Sequence, residues 1–244
     1  MLFLNKKNFV IFTHYRTGSR SLVEMLRAQK IPTFDEPFNP RHCFNSHDQM
    51  DLTYLNLLKK KNASIVFDQI FQKYLSFKHI FLQLNEKDNV ELIQNYPVIY
   101  LTRKNIPEAA LSFLVAQKTK IWHATKRSEN CEVYKNNKEL DLKEIYSKIG
   151  KINIKKLEIE IKNFEKIKTY QPKLKNFIPV YYEELYSGNW KKVCQNIFDF
   201  TETKNVNWEA VEEIVNSANK LNSEELYSAI SNYEEISDFM KKLK

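Results

Sequence analysis

A short apolar segment, a tight turn and an amphipathic segment follow one another at the start of the chain. Asn8–Thr13 has the sequence NFVIFT, which is typical of a strand buried on both faces of a sheet. After the turn at His14–Thr17, the segment Gly18–Gln29 has helical spacing, with its apolar side chains on one face. A helix that begins in this way leaves backbone N–H groups free to bind an anion. The order therefore predicts an α/β fold with a phosphate-binding loop after its first strand.

Strand-like and helical patterns alternate along the rest of the chain. The prolines of Ile31–His47 predict an irregular segment. Further strands are predicted at Ser64–Phe67, His79–Leu84, Pro97–Thr102 and Phe177–Tyr182. Helices are predicted at Leu52–Lys61, Asp68–Ser76, Asn89–Gln94, Ile106–Trp122 and over much of Leu140–Tyr170, with several more after Tyr182. The alternation predicts a three-layer α/β/α fold with a mostly parallel central sheet, formed by residues 1–244 as a single domain.

The hydropathy and the cysteine content of the chain bear on its compartment. No stretch approaches the roughly 18 consecutive apolar residues that a membrane span requires. The first four residues are apolar, but a polar and basic triplet follows them, unlike the order in a secretory signal. Cys43, Cys131 and Cys194 are far apart and include no C-x-x-C pair. We therefore expect a soluble, cytoplasmic protein with neither a disulfide framework nor a bound metal.

Arginine is rare in a chain that carries much positive charge. The net charge is +8 and the sequence pI is near 9.1, which favours anionic partners of any kind. Lysine supplies 32 of the 38 basic residues, so we expect the six arginines to lie where a planar, multi-donor side chain is needed. Glycine occurs only three times. Because two of the arginines and one glycine fall within Arg16–Arg20, this segment is the first candidate for a binding site.

The loop His14–Ser21, with the sequence HYRTGSRS, combines the features of an anion-binding turn. Gly18 permits a tight backbone turn, and successive N–H groups at a helix start form a concave donor surface for phosphate. Arginine side chains add charge-assisted hydrogen bonds, each worth roughly 1.5–3 kcal/mol. The candidate ligands are Arg16, Thr17, Gly18, Ser19, Arg20 and Ser21.

A nucleotide triphosphatase needs a different loop. Its motif, G-x-x-x-x-G-K-[ST], places a lysine on the phosphates and a hydroxyl on magnesium. Here Gly18 is followed by Ser19, and no glycine stands five residues earlier. The strand PVIYLT also ends at Arg103, where such an enzyme often has an acidic magnesium partner. Two alternatives stay open: a small-molecule or nucleotide kinase of this fold class, and a basic nucleic-acid-binding protein, although no recognisable DNA- or RNA-binding motif is present.

Two segments of the chain resemble the family of sulfotransferases that use 3′-phosphoadenosine 5′-phosphosulfate (PAPS). Tyr15–Leu22 (YRTGSRSL) is similar to the family's loop for the 5′-phosphosulfate. Val98–Ser112 (VIYLTRKNIPEAALS) is similar to its 3′-phosphate motif, in which a strand ends in an arginine and a helical serine follows. The resemblance covers the region from about residue 8 to about residue 200 in ordered pieces. It implies a P-loop-like sulfotransferase architecture that uses PAPS and no metal.

The resemblance also implies which residues bind the nucleotide. Arg103 and Ser112 would bind the 3′-phosphate, and a dianionic phosphate suits one arginine fork and a hydroxyl. The spacing between them has one more residue than in the cytosolic animal enzymes, which leaves Lys104 as an alternative to Arg103. Val180–Leu185 (VYYEEL) is similar to a strand end of the family that would place Tyr182 near the adenine.

The catalytic roles follow from the same resemblance. Glu36–Pro40 (EPFNP) is similar to a segment that bacterial relatives carry after the first helix, which implies Glu36 as the general base for a hydroxyl acceptor. Three neighbouring side chains are rivals for that role: Asp35, His42 and His47. We assign Arg16 to the oxygens between sulfur and the 5′-phosphate, where it would stabilise growing negative charge as a hydrogen-bond donor.

These residues together predict transfer of a sulfuryl group from PAPS to a hydroxyl or amine acceptor, with adenosine 3′,5′-bisphosphate as the product. We expect the acceptor, a small molecule or a carbohydrate, to bind the segment Ile31–His47, the region near Trp122 and His123, and the C-terminal helices. A nucleic-acid partner and a membrane span are not expected. The sequence leaves the identity of the acceptor and the oligomeric state open.

Overall fold

A central parallel sheet organises the fold. The computed structural model describes residues 7–120, 147, 149–217 and 227–243. Within these residues one five-stranded sheet forms, from Phe9–Thr13 (β1), Thr33–Asp35 (β2), Ser76–Ile80 (β3), Val98–Thr102 (β4) and Phe177–Tyr181 (β5). All its strand pairs are parallel, and the order across the sheet is β2-β3-β1-β4-β5. The carboxyl ends of all five strands therefore lie along one edge.

Helices connect and cover the strands. Their bounds are Ser19–Ala28 (α1), Thr53–Leu58 (α2), Ala63–Phe71 (α3), Glu86–Asn95 (α4), Ile106–Thr119 (α5), Ile154–Glu165 (α6), Tyr182–Leu185 (α7), Trp190–Phe200 (α8), Trp208–Ser217 (α9) and Tyr233–Lys241 (α10). Short 3₁₀ segments follow β3 at Phe81–Gln83 and α6 at Lys166–Lys173. Among the described helices, none combines the length and the apolar character that crossing a bilayer requires.

The two faces of the sheet bury separate apolar layers, because successive side chains of a strand point to opposite faces. On one face, Phe9 and Ile11 of β1 belong to a cluster that includes the apolar sides of α1, α8 and α9. On the other face, Val10 and Phe12 belong to a cluster with side chains of α3 and α4. The result is the three-layer α/β/α arrangement predicted from the alternation of strands and helices.

The described residues group into two compact units. The first unit contains the whole sheet, with residues up to Lys104 and residues 167–217. The second unit contains α5, α6 and α10. Within it, the rings of Phe113 and Phe164 meet edge-to-face at 5.5 Å, and Asn232 exchanges hydrogen bonds of 2.9 and 3.0 Å with the backbone of Ile152. The single domain expected from the sequence stays a prediction.

The structure corrects two of the predicted elements. Ser64–Phe67 was expected as a strand but lies in α3, where Ala63, Val66, Phe67 and Ile70 form a buried helical face. A short apolar run of this kind fits either element by its pattern alone. The segment Ile31–His47 was expected to be irregular throughout, but it contains the edge strand β2.

Other predicted elements differ mainly in their ends: the helix expected at Asp68–Ser76 is the second half of α3 and ends at Phe71, and Ser76 belongs to β3. The strand expected at His79–Leu84 begins earlier, at Ser76, and gives way to a 3₁₀ segment at Phe81. The helix expected to reach Trp122 is described to Thr119. Trp122 and His123, which were expected near the acceptor, lie outside the described residues, as does the first part of the predicted helical stretch from Leu140.

Candidate functional site

The turns that follow β1 and β4 meet at the carboxyl edge of the sheet. Arg103, the residue directly after β4, is only 5% exposed, and its Nη1 donates a hydrogen bond of 3.4 Å to the backbone carbonyl of Arg16 in the loop after β1. The hydroxyl of Thr13, the last residue of β1, also donates to the carbonyl of Leu101 in β4, at 2.8 Å. The structure thus brings together the loop and the arginine that the sequence singled out separately.

Gly18, at the N-cap position of α1, has a backbone conformation that few other residues adopt. Its φ is +70°, in the left-handed region, and a Cβ atom added there would lie 2.5 Å from Cε2 of Tyr186 and 3.0 Å from Cδ2 of Tyr182. The hydroxyl of Tyr186 donates a 3.0 Å hydrogen bond to the carbonyl of Gly18 and also interacts with the side chain of Ser21. The glycine is therefore needed both for the backbone turn and for the close packing of the tyrosine.

The start of α1 suits an anionic ligand. Gly18, the residue at the N-cap position of this helix, has no side chain to cap it, and no acidic residue lies in the first turn. The first N–H groups of a helix have no intrahelical partner, and the helix dipole places partial positive charge there. Ser19 and Ser21 lie in this first turn, the former buried and the latter half-buried. The backbone donors fit the phosphate that the sequence predicts at this loop.

The hydroxyl of Thr17 is directed into the fold. Its Oγ1 lies 2.7 Å from Oγ1 of Thr13 and donates to the carbonyl of His14 at 3.2 Å. The Thr17 side chain is fully buried. These contacts fix the shape of the loop, and they leave the backbone N–H of Thr17 as the group that fits the predicted anion.

Arg103 is held between an aromatic ring and a carboxylate. Its guanidinium carbon lies 4.2 Å from the centre of the Tyr182 ring, and its Nε lies 3.6 Å from Oε1 of Glu183. Lys104, the alternative to Arg103, is instead 56% exposed at its side chain and pairs with Glu184 at 2.6 Å. Of the two cations, Arg103 is therefore the one that reaches the loop after β1.

Tyr182 is placed beside the loop, as its predicted role in nucleotide binding requires. Its ring packs against that of Tyr186, with centroids 4.9 Å apart, and both rings lie against Gly18. A contact between Tyr182 and an adenine stays a prediction. Ser112, the other predicted 3′-phosphate ligand, is buried on α5 in the second unit.

Glu36 is a buried carboxylate with fixed partners. Its Oε1 lies 2.8 Å from Nζ of Lys78, and its Oε2 accepts hydrogen bonds from Asn39 at 2.6 Å and Gln83 at 2.8 Å. An ionised carboxylate has about four acceptor positions, so three contacts leave room for one more donor. The residue also has a positive φ of 55°. Glu36 is thus held in place at the end of β2, with room for one further hydrogen bond to its carboxylate.

Tyr15 connects Glu36 to the loop His14–Ser21, which we call the anion loop. The Tyr15 hydroxyl interacts with the side chain of Gln83, the same side chain that donates to Glu36. Burial, and to a smaller degree the negative charge of Glu36, raise the pKa of Tyr15 to about 12. Tyr15 is therefore neutral at physiological pH. The carboxylate and the loop lie close enough to share one amide side chain.

Arg20 has three carboxylate partners. Its guanidinium contacts Asp35 at 2.5 Å, Asp48 at 2.9 Å and Glu24 at 2.9 Å. Although burial favours the protonated acid, Lys78 and Arg20 hold the pKa of Asp35 far below its usual range. The contribution of the Arg20 side chain to phosphate binding stays a prediction, and the structure gives that side chain competing partners.

The rivals of Glu36 have different surroundings. Asp35 is fully engaged with Lys78 and Arg20. His47 is exposed in a turn, where its backbone N–H donates a hydrogen bond to Oδ1 of Asn45. Position alone therefore favours Glu36 over Asp35 and His47 as the predicted base, while the roles of Glu36 and His47 in catalysis stay predictions.

A buried histidine lies under the loop. Nδ1 of His14 lies 2.7 Å from the carbonyl of Tyr15, so this nitrogen carries the hydrogen. Burial, and to a smaller degree the charge of Arg103, lower the pKa of His14 to about 3. The side chain is consequently neutral near pH 7, and it supports the loop without adding charge to the site.

Three residues of the site were not singled out from the sequence: Lys78, Gln83 and Tyr186. A lysine within the otherwise buried strand segment SFKHI was a signal that a charged partner is close by, because buried lysines are almost always paired. Tyr186 lies four residues after Tyr182, but that spacing does not reveal its contact with Gly18. Nothing near Gln83 in the sequence indicates its link to Glu36.

A candidate site consists of the turn with Arg16, the start of α1, Arg103 and Glu36. It combines donors for an anionic ligand with a buried carboxylate. All these groups belong to the first unit and follow the carboxyl ends of β1, β2 and β4. No protein-family model matches the chain, and no curated protein matches it.

Proposed function

We propose that this protein transfers the sulfuryl group of PAPS to an acceptor hydroxyl. The observation that carries the proposal is the hydrogen bond from Arg103 to the carbonyl of Arg16. It joins two cationic turns, one that leads into the start of α1 and the other with a buried guanidinium. A nucleotide with phosphate groups at both its 5′ and 3′ positions needs two such cationic binding sites close to each other.

The position of the two turns in the sheet supports the proposal. The chain places β2 and β3 on one side of β1, and β4 and β5 on the other side. Ligands of open parallel sheets bind outside the carboxyl ends of the strands, where the order changes direction. In this sheet the change falls between β1 and β4, which are the strands that lead into the loop of Arg16 and into Arg103.

Two residues of the proposed site have a strained backbone conformation. Arg16 and Glu36 have positive φ values of 64° and 55°, and they follow β1 and β2. Such conformations in residues other than glycine cost of order 1–3 kcal/mol each and persist where the surroundings hold them. Five other described residues that are not glycine also have a positive φ, so the strain accompanies the proposed site without singling it out.

Different residues of the chain would bind the donor and stabilise the charge that develops in the reaction. When bound, the donor supplies the sulfuryl group: a bond forms from the acceptor oxygen to sulfur, and the bond from sulfur to the 5′-phosphate oxygen breaks with its electron pair. Arg16 and the N–H groups at the start of α1 would stabilise the charge that grows on that phosphate. Arg103 would hold the 3′-phosphate, with Tyr182 stacked against its guanidinium.

Glu36 would take the proton of the acceptor hydroxyl. Lys78 holds one carboxylate oxygen of Glu36, and Asn39 and Gln83 hold the other. This arrangement fixes the orientation of the carboxylate, which a general base requires before its pKa matters. Because Glu36 lies beside Tyr15 of the anion loop, the acceptor hydroxyl and the transferred group could approach from neighbouring positions.

Calorimetric titration with adenosine 3′,5′-bisphosphate tests the proposal. We expect binding without added metal, and a loss of at least about tenfold in Arg103→Ala, because one charge-assisted interaction contributes about 1.5–3 kcal/mol. Arg16→Ala, at a half-buried position, should show a similar loss of affinity. It provides a second test in case the Arg103→Ala variant does not fold. Arg41→Ala, at an exposed position, is the matched control and should bind like the wild type.

Glu36→Gln separates nucleotide binding from catalysis. This variant should bind adenosine 3′,5′-bisphosphate within about twofold of the wild type, but it should lose about 100-fold in sulfuryl transfer from PAPS, a typical contribution of a general base. Magnesium-dependent binding of ATP, together with no binding of the bisphosphate, would contradict the proposal and favour a kinase.

A further inference from the structure

A polar groove lies beside the candidate site, within the first unit. Its cavity volume is about 770 Å³, large enough for a ligand the size of a disaccharide. The groove is bounded by the start of α3, by the segment that follows β3, and by α4. Because α3 precedes β3 and α4 follows it, the N-terminal ends of both helices lie at the carboxyl edge of the sheet, which is also the edge of the anion loop.

The lining of the groove is neutral overall and rich in hydrogen-bonding groups. Lys61 and Lys87 are balanced by Asp88 and Glu91. Five side-chain amides and one serine also line the groove: Asn62, Ser64, Gln83, Asn85, Gln94 and Asn95. A side-chain amide both donates and accepts hydrogen bonds, as does the hydroxyl group of a polyol or a sugar. None of the described lining residues is aromatic, so a flat aromatic ligand would find no stacking partner there.

Gln83 connects this groove to the predicted base. It lines the groove, and its Nε2 donates a 2.8 Å hydrogen bond to Oε2 of Glu36. The same side chain interacts with the hydroxyl of Tyr15 in the anion loop. A ligand in the groove that replaced or extended the contact of Gln83 would present its own hydroxyl near the carboxylate of Glu36.

We propose that this groove binds the acceptor, and that the acceptor is a neutral polyhydroxylated compound such as a mono- or disaccharide. The part of the proposal that concerns sulfuryl transfer depends on the proposed function, whereas binding of a saccharide does not. The bound hydroxyl gives its proton to Glu36 as its oxygen bonds to sulfur, and the electron pair of the broken bond leaves with the 5′-phosphate of PAPS.

A titration followed by ¹H–¹⁵N correlation spectra tests the groove. The probes are maltose, cellobiose and lactose as neutral disaccharides, with 4-nitrophenol and a sulfated disaccharide as the aromatic and anionic comparisons. We expect at least one neutral disaccharide to shift the amide signals of Asn62–Ser64 and Gln83–Asp88, and we expect the two comparison compounds to leave them in place. A panel in which no neutral disaccharide shifts these signals overturns the proposal.

A pair of double variants tests whether the lining side chains make the contacts. Asn62→Ala with Gln94→Ala removes two groove amides and should weaken disaccharide binding about tenfold. Asn56→Ala with Gln72→Ala removes the same residue types from exposed positions outside the groove lining and should leave the affinity unchanged. Equal affinity in the two double variants would show that the sugar binds elsewhere and would overturn the proposal.

Adenosine 3′,5′-bisphosphate, titrated into the same labelled protein, keeps the two proposals apart. Signals of the loop His14–Ser21 report on the nucleotide, and signals of the groove report on the sugar. Sugar binding without nucleotide binding supports the groove as a saccharide site and overturns sulfuryl transfer. Nucleotide binding without sugar binding overturns the groove proposal and leaves the proposed function standing.

Discussion

The three glycines of the chain meet three different requirements. Gly18 has φ +70° and is in close contact with Tyr186, whereas Gly150 has φ +57° with open space around its Cβ position. Gly188 has neither a φ in the left-handed region nor a close neighbour. The comparison separates the cost of backbone strain from the cost of steric contact.

A series of alanine substitutions measures these two costs by urea unfolding. Gly188→Ala should change the free energy of unfolding by less than about 0.5 kcal/mol. Gly150→Ala should cost about 1–2 kcal/mol, the penalty of a left-handed conformation for a residue with a Cβ. Gly18→Ala should cost about 1–3 kcal/mol more than Gly150→Ala, since Tyr186 must also move. Equal losses in the free energy of unfolding at Gly18 and Gly150 would mean that Tyr186 moves aside at no measurable cost.

At the scale of single residues, the sequence indicated the strand ends better than the contacts. Arg103 could be singled out because it directly follows an apolar strand, and Arg16 because it lies with Gly18 and Arg20 in the turn after another. Parallel strands bring the turns at their carboxyl ends to one edge. The packing of Tyr186 on Gly18 joins residues 168 positions apart. A contact of that kind depends on the tertiary fold, and no local pattern predicts it.

A buried network of charges ties β2, β3 and α1 together. Lys78 of β3 lies 2.5 Å from Asp35 of β2, and Asp35 also pairs with Arg20 of α1. Although burial favours neutral lysine, Asp35 and Glu36 raise the pKa of Lys78 above its ordinary value. The network therefore stays ionised at physiological pH, and the removal of one member leaves its buried partners with fewer opposite charges.

Lys78→Met tests how much this network contributes to the free energy of unfolding. We expect a loss of about 3–5 kcal/mol in the free energy of unfolding, because Asp35 and Glu36 would remain buried with fewer counter-charges. Lys162→Met is the matched control, since Lys162 pairs with Glu158 on the exposed surface of α6 and should cost less than about 1 kcal/mol. A cost at Lys78 no larger than at Lys162 would contradict the importance of the buried pair.

Elements with a clear period were predicted well, and those without one were not. The strand and helix at the start of the chain lie within a residue or two of their expected bounds, because the change of period between them is sharp. β2 has only three residues and is flanked by prolines, so its pairing with β3 decides its structure. α3 begins with a β-branched, apolar run that fits a strand by composition, and only its packing against the sheet makes it helical.

At the scale of the whole molecule, burial sets the pH range in which the fold is stable. Burial lowers the pKa of His14 to about 3 and that of His79 to about 4, from an ordinary value of 6.5. Although burial favours the protonated acid, the charges of Arg20 and Arg27 hold the pKa of Asp48 below its usual range. Lys78 and Arg20 do the same for Asp35. Between its ordinary and its lowered pKa, each group binds more protons in the unfolded state than in the folded one.

Stability should therefore fall in two stages on acidification. The contribution of the two histidines is complete above about pH 6.5 and is lost as the pH falls toward 4 and then 3, at up to about 1.4 kcal/mol per pH unit for each. The contribution of the two aspartates is complete above their ordinary pKa of 3.8 and is lost only below it.

Replacement of His79 tests whether this histidine causes the first stage of the loss of stability. His79 is buried among Phe12 and Phe38, with Nε2 2.8 Å from Oδ1 of Asn89. His79→Gln removes the titrating ring, so the slope of the free energy of unfolding between pH 6 and 4.5 should fall by about 1.4 kcal/mol per pH unit relative to the wild type. His47→Gln, on the exposed turn, should retain the wild-type slope. If both variants keep that slope, protonation of His79 does not limit the acid stability of this fold, and the first stage must come from His14 or from groups outside the sheet.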